Sequence, residues 1–172
     1  AMFCPGRAWE QVRTNICLNN VNVKVIGSHA GVSVGPDGAT HQAIEDIAIM
    51  RCIPNITVVV PCDIIEAKKA ANAIADIKGP CYVRFAREKT PVFTTEKTPF
   101  QIGRAEVFQE GKDVSILACG PVLYQALLAA KELEKEKISC EVINNHTIKP
   151  LDGKTILASV KKTGAVVTVE EH

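Results

Sequence analysis

Short apolar runs rich in β-branched residues alternate along the chain with segments whose apolar residues recur every three to four positions. The runs predict buried strands, and the recurring pattern predicts amphipathic helices. Strands that alternate with helices are typical of an α/β fold with a largely parallel sheet. The predicted strands are 21–28, 56–60, 81–86, 114–118, 138–143 and 165–169, and the predicted helices are 7–18, 42–51, 64–77, 121–136 and 151–162.

The start of the third helix has a recognisable signal. Asp63 followed three residues later by Glu66 has the form of a capping box, in which each side chain accepts a hydrogen bond from a free backbone N–H of the first turn. The same helix places apolar residues near a 3.6-residue period, which predicts a buried face made of Ile64, Ala67, Ala71, Ile74 and Ile77.

A change in composition divides the chain in two. Residues 87–99 are rich in Thr, Pro, Glu and Lys, which indicates a linker. We therefore expect one α/β domain over 1–90, a linker over 91–100 and a second, smaller α/β domain over 101–172. The chain begins at Ala1 without an initiator Met and stops at His172 after a strand-like run, so we expect the first domain to be incomplete at its start and the second at its end.

Composition excludes several classes of partner. The net charge is +1, and no Lys/Arg run with interleaved aromatic residues is present, so we expect no nucleic acid. No stretch approaches the ~20 apolar residues needed to span a bilayer, and no signal peptide is visible. The seven cysteines are scattered without a Cys-x-x-Cys pair, which is typical of a reducing compartment. We expect a cytoplasmic protein without membrane contact.

The most informative stretch is the glycine-rich loop over 28–42, which follows a predicted strand and enters a predicted helix. Open α/β sheets bind ligands at such positions. The loop holds two imidazoles and one carboxylate, those of His29, His41 and Asp37. Together these groups could hydrogen-bond a polyhydroxylated substrate and transfer protons near neutral pH.

Other interpretations of these residues stay open on the sequence alone. A histidine in a loop is often only a surface residue, and Asp-Gly is a common turn dipeptide. A metal site is also conceivable for His29, Asp37 and His41, although no close His-x-His or His-x-x-x-His spacing supports it. Arg87, at the end of a predicted strand, could simply pair with Glu88 or Glu96 at the surface.

The loop and its surroundings resemble a known family. The run Ser-His-Ala-Gly-Val-Ser-Val-Gly-Pro-Asp-Gly-Ala-Thr-His-Gln-Ala-Ile-Glu-Asp-Ile-Ala within 25–63 is similar to the pyrimidine-binding domain of transketolases, especially the bacterial and archaeal form split into two chains. The likeness continues through Tyr-Val-Arg-Phe-Ala-Arg at 82–87 and through the second unit to Val-Glu-Glu-His at 169–172. It therefore covers nearly the whole chain and implies the C-terminal section of a transketolase.

The resemblance implies a role for five residues. His29 and His41 would be catalytic and would contact substrate hydroxyls and phosphate, with His41 a candidate for proton transfer near the reacting carbon. Asp37 would bind the hydroxyl next to the ketose carbonyl. Arg87 would bind the terminal phosphate, which a guanidinium suits geometrically. Phe3 would stack on the aminopyrimidine ring of the cofactor.

The resemblance also implies an activity that this chain does not perform alone. A transketolase of the pentose phosphate pathway moves a two-carbon ketol unit from a ketose phosphate to an aldose phosphate by means of thiamine diphosphate. The activating glutamate and the ligands of the divalent metal (Mg²⁺ or Ca²⁺) would lie outside this chain, in an N-terminal section. We therefore expect a homodimer or heterotetramer that includes such a section, with sugar phosphates as substrates and no metal ligand in this chain.

Two alternatives remain at this point. Deoxyxylulose-phosphate synthases also contain Asp-Gly-Ala-Thr-His-Gln, and the beta chains of oxo-acid dehydrogenases share the cofactor. His29 and the Ile-Glu-Asp at 44–46 favour a transketolase. An alternative of another class is a non-catalytic subunit that binds a partner chain.

Overall fold

The computed structural model describes residues 1–172 as two packed units, each built on a four-stranded sheet. The strands are β1 (Lys24–Ser28), β2 (Thr57–Val59), β3 (Cys81–Phe85), β4 (Glu106–Gln109), β5 (Val114–Ala118), β6 (Cys140–Asn144), β7 (Thr147–Lys149) and β8 (Val166–Val169). The α-helices are α1 (Trp9–Gln11), α2 (Asp46–Arg51), α3 (Ile64–Asp76), α4 (Leu123–Lys135) and α5 (Gly153–Thr163). Wider helical turns cover Met2–Arg7 and Val12–Leu18, and 3₁₀ turns cover Val32–Asp37 and Gly120–Val122.

The first sheet has the strand order β1-β3-β2-β7. Strands β1, β3 and β2 are parallel, with Lys24 and Thr57 both opposite Cys81, and β7 runs antiparallel to β2. Because β3 is covered on both faces, its side chains form a nearly continuous buried run rather than an alternating one. The carboxyl end of β1 carries the glycine-rich loop.

The second sheet has the strand order β4-β6-β5-β8. Strands β6, β5 and β8 are parallel, and β4 is antiparallel to β6. Each unit is thus α/β with three parallel strands and one antiparallel strand, which confirms the predicted fold class. No helix in the structure is both long and apolar enough to traverse a lipid bilayer.

Each unit contributes a residue to the apolar cluster of the other. Cys119, in the turn after β5, belongs to the apolar cluster of the first unit, whereas Cys62, after β2, belongs to that of the second. All seven cysteines are free thiols, with Cys4 and Cys52 exposed and the other five buried. Burial raises the pKa of the Cys119 thiol to about 11, so this side chain behaves as a small apolar residue.

The structure corrects the predicted start of the second helix, since α2 begins at Asp46 and not at residue 42. The residues before it support the loop instead. Ala43 forms a parallel bridge with Ala30, and Gln42 Nε2 donates to the Gly35 carbonyl at 3.1 Å. These contacts require non-helical backbone in this stretch. Two strands, β4 and β7, were not predicted.

The capping residues of α3 act largely as predicted. Asp63 Oδ1 accepts from the Glu66 backbone N–H at 2.9 Å, but Glu66 reaches back to the N–H of Cys62, at 2.7 Å, rather than to that of Asp63. Glu66 also accepts from Asn144 Nδ2 of β6 at 2.6 Å. This bond turns Glu66 inwards, so the buried face is formed by Glu66, Ala70 and Ile74. Of the predicted apolar face, Ile74 is buried as expected, whereas Ile64 and Ala71 are exposed.

Asp63 also fixes the segment between the units. Its carboxylate accepts from the backbone N–H groups of Phe93, at 3.0 Å, and of Thr94, at 2.7 Å. Burial raises the pKa of Asp63, but the hydrogen bonds from Glu66, Thr94 and Phe93 outweigh burial and leave this pKa below its usual value. A carboxylate with a lowered folded pKa stabilises the protein above the pKa of the unfolded chain, and this stabilisation is lost as pH falls through the folded pKa.

Replacing Asp63 with Ala should lower the free energy of unfolding by about 2–4 kcal/mol, because a helix cap and the acceptor of two further amides are lost. Urea unfolding at neutral pH measures this change. The difference between the wild type and Asp63→Asn should shrink as the pH is lowered. Asp76→Asn, at the exposed end of the same helix, is the control, and an equal loss there would contradict the prediction.

Candidate functional site

A hollow of about 310 Å³ lies between the glycine-rich loop and the first helical turn of the chain. Phe3 and Cys4 line it from the helical turn, and His29, Asp37 and His41 line it from the loop. The structure thus brings four of the five predicted site residues to one space.

His29 projects from the end of β1 because its backbone leaves the strand conformation. Its φ is +58°, in the left-handed region that non-glycine residues seldom adopt. The backbone N–H still donates to the carbonyl of Phe85 at 3.1 Å, so the strand pairing continues up to this turn. His29 Nδ1 lies 3.1 Å from Ser28 Oγ, which leaves Nε2 free for a ligand.

His41 is oriented by two contacts. Its Nδ1 lies 2.8 Å from Thr40 Oγ1, and its ring meets the ring of Phe3 edge to face, with 5.1 Å between centroids. The guanidinium of Arg7 lies 4.6 Å from the centroid of Phe3, so the aromatic ring is also held by a cation–π contact. His41 Nε2 makes no hydrogen bond within the protein and is available for proton exchange.

Asp37 and Arg87 form an ion pair, with 2.8 Å between Asp37 Oδ1 and Arg87 Nη1. Arg87 Nη1 also donates to the carbonyl of Val34 at 2.8 Å. The pairing of Arg87 with Glu88 or Glu96, which the sequence left open, is therefore wrong. The guanidinium lines a neighbouring hollow of about 460 Å³ rather than the one that holds the histidines. Asp37 and Arg87 thus connect the two spaces.

Residues to which the sequence assigned no role in the site form a buried cluster next to the loop. Asp46, the first residue of α2, accepts from Tyr82 Oη at 2.6 Å, and His172 Nε2 lies 2.7 Å from its other oxygen. Burial raises the pKa of Asp46, but the bonds to His172 and Tyr82, together with the charge of Arg84, outweigh burial and lower it. Arg84 is 2% exposed, and its Nε and Nη1 have no partner in the protein.

A further support comes from the end of the chain. Glu171 Oε1 accepts from the backbone N–H of Ser33 at 2.8 Å. The only sequence signal for Glu171 and His172 is that they belong to the Val-Glu-Glu-His run that resembles transketolases. No group of three or more His, Cys, Asp or Glu side chains lies close enough together to hold a metal ion.

Comparison with known sequences decides the family. The profile of the transketolase pyrimidine-binding domain matches residues 1–92, and that of the transketolase C-terminal domain matches residues 103–172. The chain belongs to the transketolase family. The two matches cover the chain except for residues 93–102, and they correspond to the two units apart from β7, which lies in the second match but pairs in the first sheet.

Individual relatives agree with this transketolase membership. The chain is 41% identical to the 6-deoxy-6-sulfo-D-fructose transketolase subunit of Clostridium sp. (strain MSTE9), over 98% of this chain and 52% of that protein. It is 40% identical to the transketolase of Mus musculus, over 96% of this chain and 27% of that protein. A solved structure described as a split-gene transketolase, inactive β4 tetramer, is 42% identical and has a TM-score of 0.89, over 97% of this chain and 54% of that one. The chain thus spans about half the length of split relatives.

The effect of Asp37 on anion binding by Arg87 can be measured on this chain without an N-terminal section. In Asp37→Asn, Arg87 loses its carboxylate partner, so binding of inorganic phosphate to this chain should strengthen about two- to fivefold, the range expected for a partly exposed pair. A phosphate titration followed by NMR or calorimetry measures the change.

Glu88→Gln is the matched control for this titration, because it alters the net charge equally beside Arg87 but makes no contact with its guanidinium. The same strengthening in both variants would show that only net charge matters. The measurement should be made at low salt, where partly exposed charges are least screened.

Proposed function

We propose that this chain is the C-terminal part of a transketolase, which transfers a two-carbon ketol unit from a ketose phosphate to an aldose phosphate together with an N-terminal section. The observation that carries the proposal is the hollow in which His29, Asp37 and His41 face Phe3, within a chain of this family. We also propose a domain division into 1–90, the linker 91–100 and 101–172, and a cytoplasmic enzyme of the pentose phosphate pathway.

The three polar groups of the hollow supply different chemistry. Imidazoles exchange protons near neutral pH, so His29 and His41 suit proton transfer at substrate hydroxyls and at the developing carbonyl. The Asp37 carboxylate accepts hydrogen bonds only, which selects a sugar with a hydroxyl group at that position. Arg87, next to it, would bind the phosphate at the other end of the sugar through two parallel hydrogen bonds.

The positions of His29, Asp37 and Arg87 suit an elongated substrate. Asp37 joins the histidine-lined hollow to the neighbouring one through its ion pair with Arg87. A phosphorylated sugar is elongated, with hydroxyl groups along its length and a dianion at one end. Such a molecule would have its hydroxyls beside His29 and Asp37 and its phosphate beside Arg87, where it would replace the carboxylate as the partner of the guanidinium.

The aromatic wall of the hollow fits thiamine diphosphate, which supplies the thiazolium carbon that carries the ketol unit. Phe3 is 48% exposed, so much of its ring surface is available for stacking on an aminopyrimidine. Contacts with Arg7 and His41 hold the ring of Phe3 in place. The chain offers no acidic cluster for the divalent metal, which would be held by the N-terminal section.

The need for a second section agrees with the relatives. The solved structure that resembles this chain is described as a split-gene transketolase, inactive β4 tetramer, and this description supports the proposal of a second section. We propose that this chain is likewise inactive alone and joins an N-terminal section as a homodimer of the joined sections or a heterotetramer of separate ones.

Mixing the chain with an N-terminal transketolase section, thiamine diphosphate and Mg²⁺ should produce ketol transfer from xylulose 5-phosphate to ribose 5-phosphate. His29→Ala and Asp37→Ala should each lower kcat/KM by about 10²-fold or more, because a proton-transferring or substrate-orienting group is lost. Their melting temperatures should change little, because loop residues contribute little core packing.

Glu134→Ala, on the exposed face of α4, is the activity control. Tight binding of the two sections without any transfer would refute the proposal and favour a non-catalytic binding subunit. Condensation of pyruvate with glyceraldehyde 3-phosphate instead of ketol transfer would identify a deoxyxylulose-phosphate synthase.

A further inference from the structure

The residues after β8 leave the second sheet and contact the glycine-rich loop of the first unit. The N–H of Cys119 donates to the carbonyl of Val169 at 3.3 Å, which fixes the direction in which the chain leaves the strand. Glu171 and His172 then reach the first unit, where both side chains find partners. Glu170, which lies between Val169 and Glu171, is exposed and makes no hydrogen bond within the protein.

Glu171 contacts the loop at Ser33 and Gly31. Its Oε1 accepts from the backbone N–H of Ser33, and its carboxylate fills the space in which a side chain at residue 31 would lie. Gly31 has a φ of +82°, and a Cβ there would overlap Glu171. The loop sequence and the carboxylate therefore fit each other closely, and glycine is required at residue 31 for two independent reasons.

The contact at Ser33 is linked to the site by a short stretch of backbone. Ser33 lies in the first of two 3₁₀ turns that meet at a kink at Gly35, and Asp37, the acid of the hollow, ends the second. Val34, which follows Ser33 in the chain, is fully buried, and its carbonyl accepts a hydrogen bond from Arg87. Fixing the Ser33 amide therefore limits the position of the Val34 carbonyl and of Arg87, which donates to it, and the ion pair passes this restriction on to Asp37.

His172 anchors the same segment, residues 170–172, to Asp46 at the start of α2. Its Nε2 lies 2.7 Å from Asp46 Oδ1, and both side chains are almost fully buried, with 4% and 0% of their surfaces exposed. Tyr82 Oη donates to the other oxygen of Asp46 at 2.6 Å. Because His172 is fixed by these contacts, the backbone beside Glu171 is already ordered, so the bond of Glu171 to Ser33 costs little entropy.

We infer that Glu171 is a positioning residue, through which the second unit sets the loop conformation that directs Asp37 into the hollow and Arg87 towards the substrate phosphate. This role rests on the proposed function. Glu171 does not touch the hollow and takes no part in the chemistry. Its effect passes through its hydrogen bond with the Ser33 amide and its packing against Gly31.

Three variants separate this role from a general contribution to folding. Glu171→Ala removes the acceptor of the Ser33 amide and leaves the space beside Gly31 empty. Glu171→Gln keeps the shape and an acceptor oxygen but removes the charge. Glu170→Gln removes the same charge from the adjacent residue without touching the loop, so it is the matched control.

Two measurements are needed, one on the chain alone and one on the chain assembled with an N-terminal transketolase section. The first is hydrogen exchange of the Ser33 amide by NMR. In Glu171→Ala, exchange should be about tenfold faster or more, as expected for the loss of a charge-assisted hydrogen bond. The second is the KM for xylulose 5-phosphate. In Glu171→Ala it should rise about tenfold, because Asp37 and Arg87 are held less firmly for substrate binding, and kcat should change less.

In both measurements Glu171→Gln should lie near the wild type and Glu170→Gln should equal it. The inference is overturned if Glu171→Ala, still folded, exchanges the Ser33 amide within about twofold of the Glu170→Gln control. It is equally overturned if exchange accelerates while the KM of an active assembly stays unchanged. Absence of ketol transfer with the unaltered chain would refute the proposed function, and the exchange rates would then still decide whether Glu171 holds the loop.

Discussion

The pairing of β7 with β2 is the constraint on which the arrangement of the two units depends. Strand β7 follows β6 of the second sheet in the chain, yet it completes the edge of the first sheet. The backbone N–H of Val60 donates to the carbonyl of His146 at 2.7 Å just beyond this pairing. Because β-ladder hydrogen bonds fix both distance and direction, the second unit cannot rotate against the first without breaking them. The tail that reaches the loop therefore starts from a fixed position.

Buried polar groups reinforce this pairing between the units. Asn144 donates to the carboxylate of Glu66, whose pKa is raised by burial. His146 is fully buried and stacks on Phe100, with 4.2 Å between ring centroids, and burial lowers its pKa to about 4. Burying polar groups costs less where their hydrogen bonds are kept, so the bond between Asn144 and Glu66 favours this arrangement of the units.

The sequence predicted strands rich in apolar and β-branched residues, whether they are buried, as β6 is, or largely exposed, as β8 is. The strand 114–118 was predicted with its observed bounds, because a parallel strand covered on both faces appears as one apolar run. Strands β4 and β7 were missed because they are antiparallel strands of four and three residues with polar residues at their ends. Their strand character comes from the neighbour with which they pair, which a local pattern does not contain.

The same limit applies to the candidate site. The loop residues His29, Asp37 and His41 could be predicted because they lie within thirteen positions of one another after a strand. The partner of Arg87 lies fifty residues earlier in the chain, and nothing in either local sequence indicates the pair. The contact of Glu171 with Ser33 spans 138 positions and two units, so only the folded chain reveals it.

The distribution of thiols has a practical consequence. Five of the seven cysteines are buried, and of the two exposed ones Cys4 lies in the wall of the hollow, whereas Cys52 follows α2. Only a thiolate reacts readily with electrophiles, and burial disfavours that form for thiols in the core. The chain therefore contains a natural attachment point for a spectroscopic label beside the candidate site, and one substitution at Cys52 would leave it as the single accessible thiol.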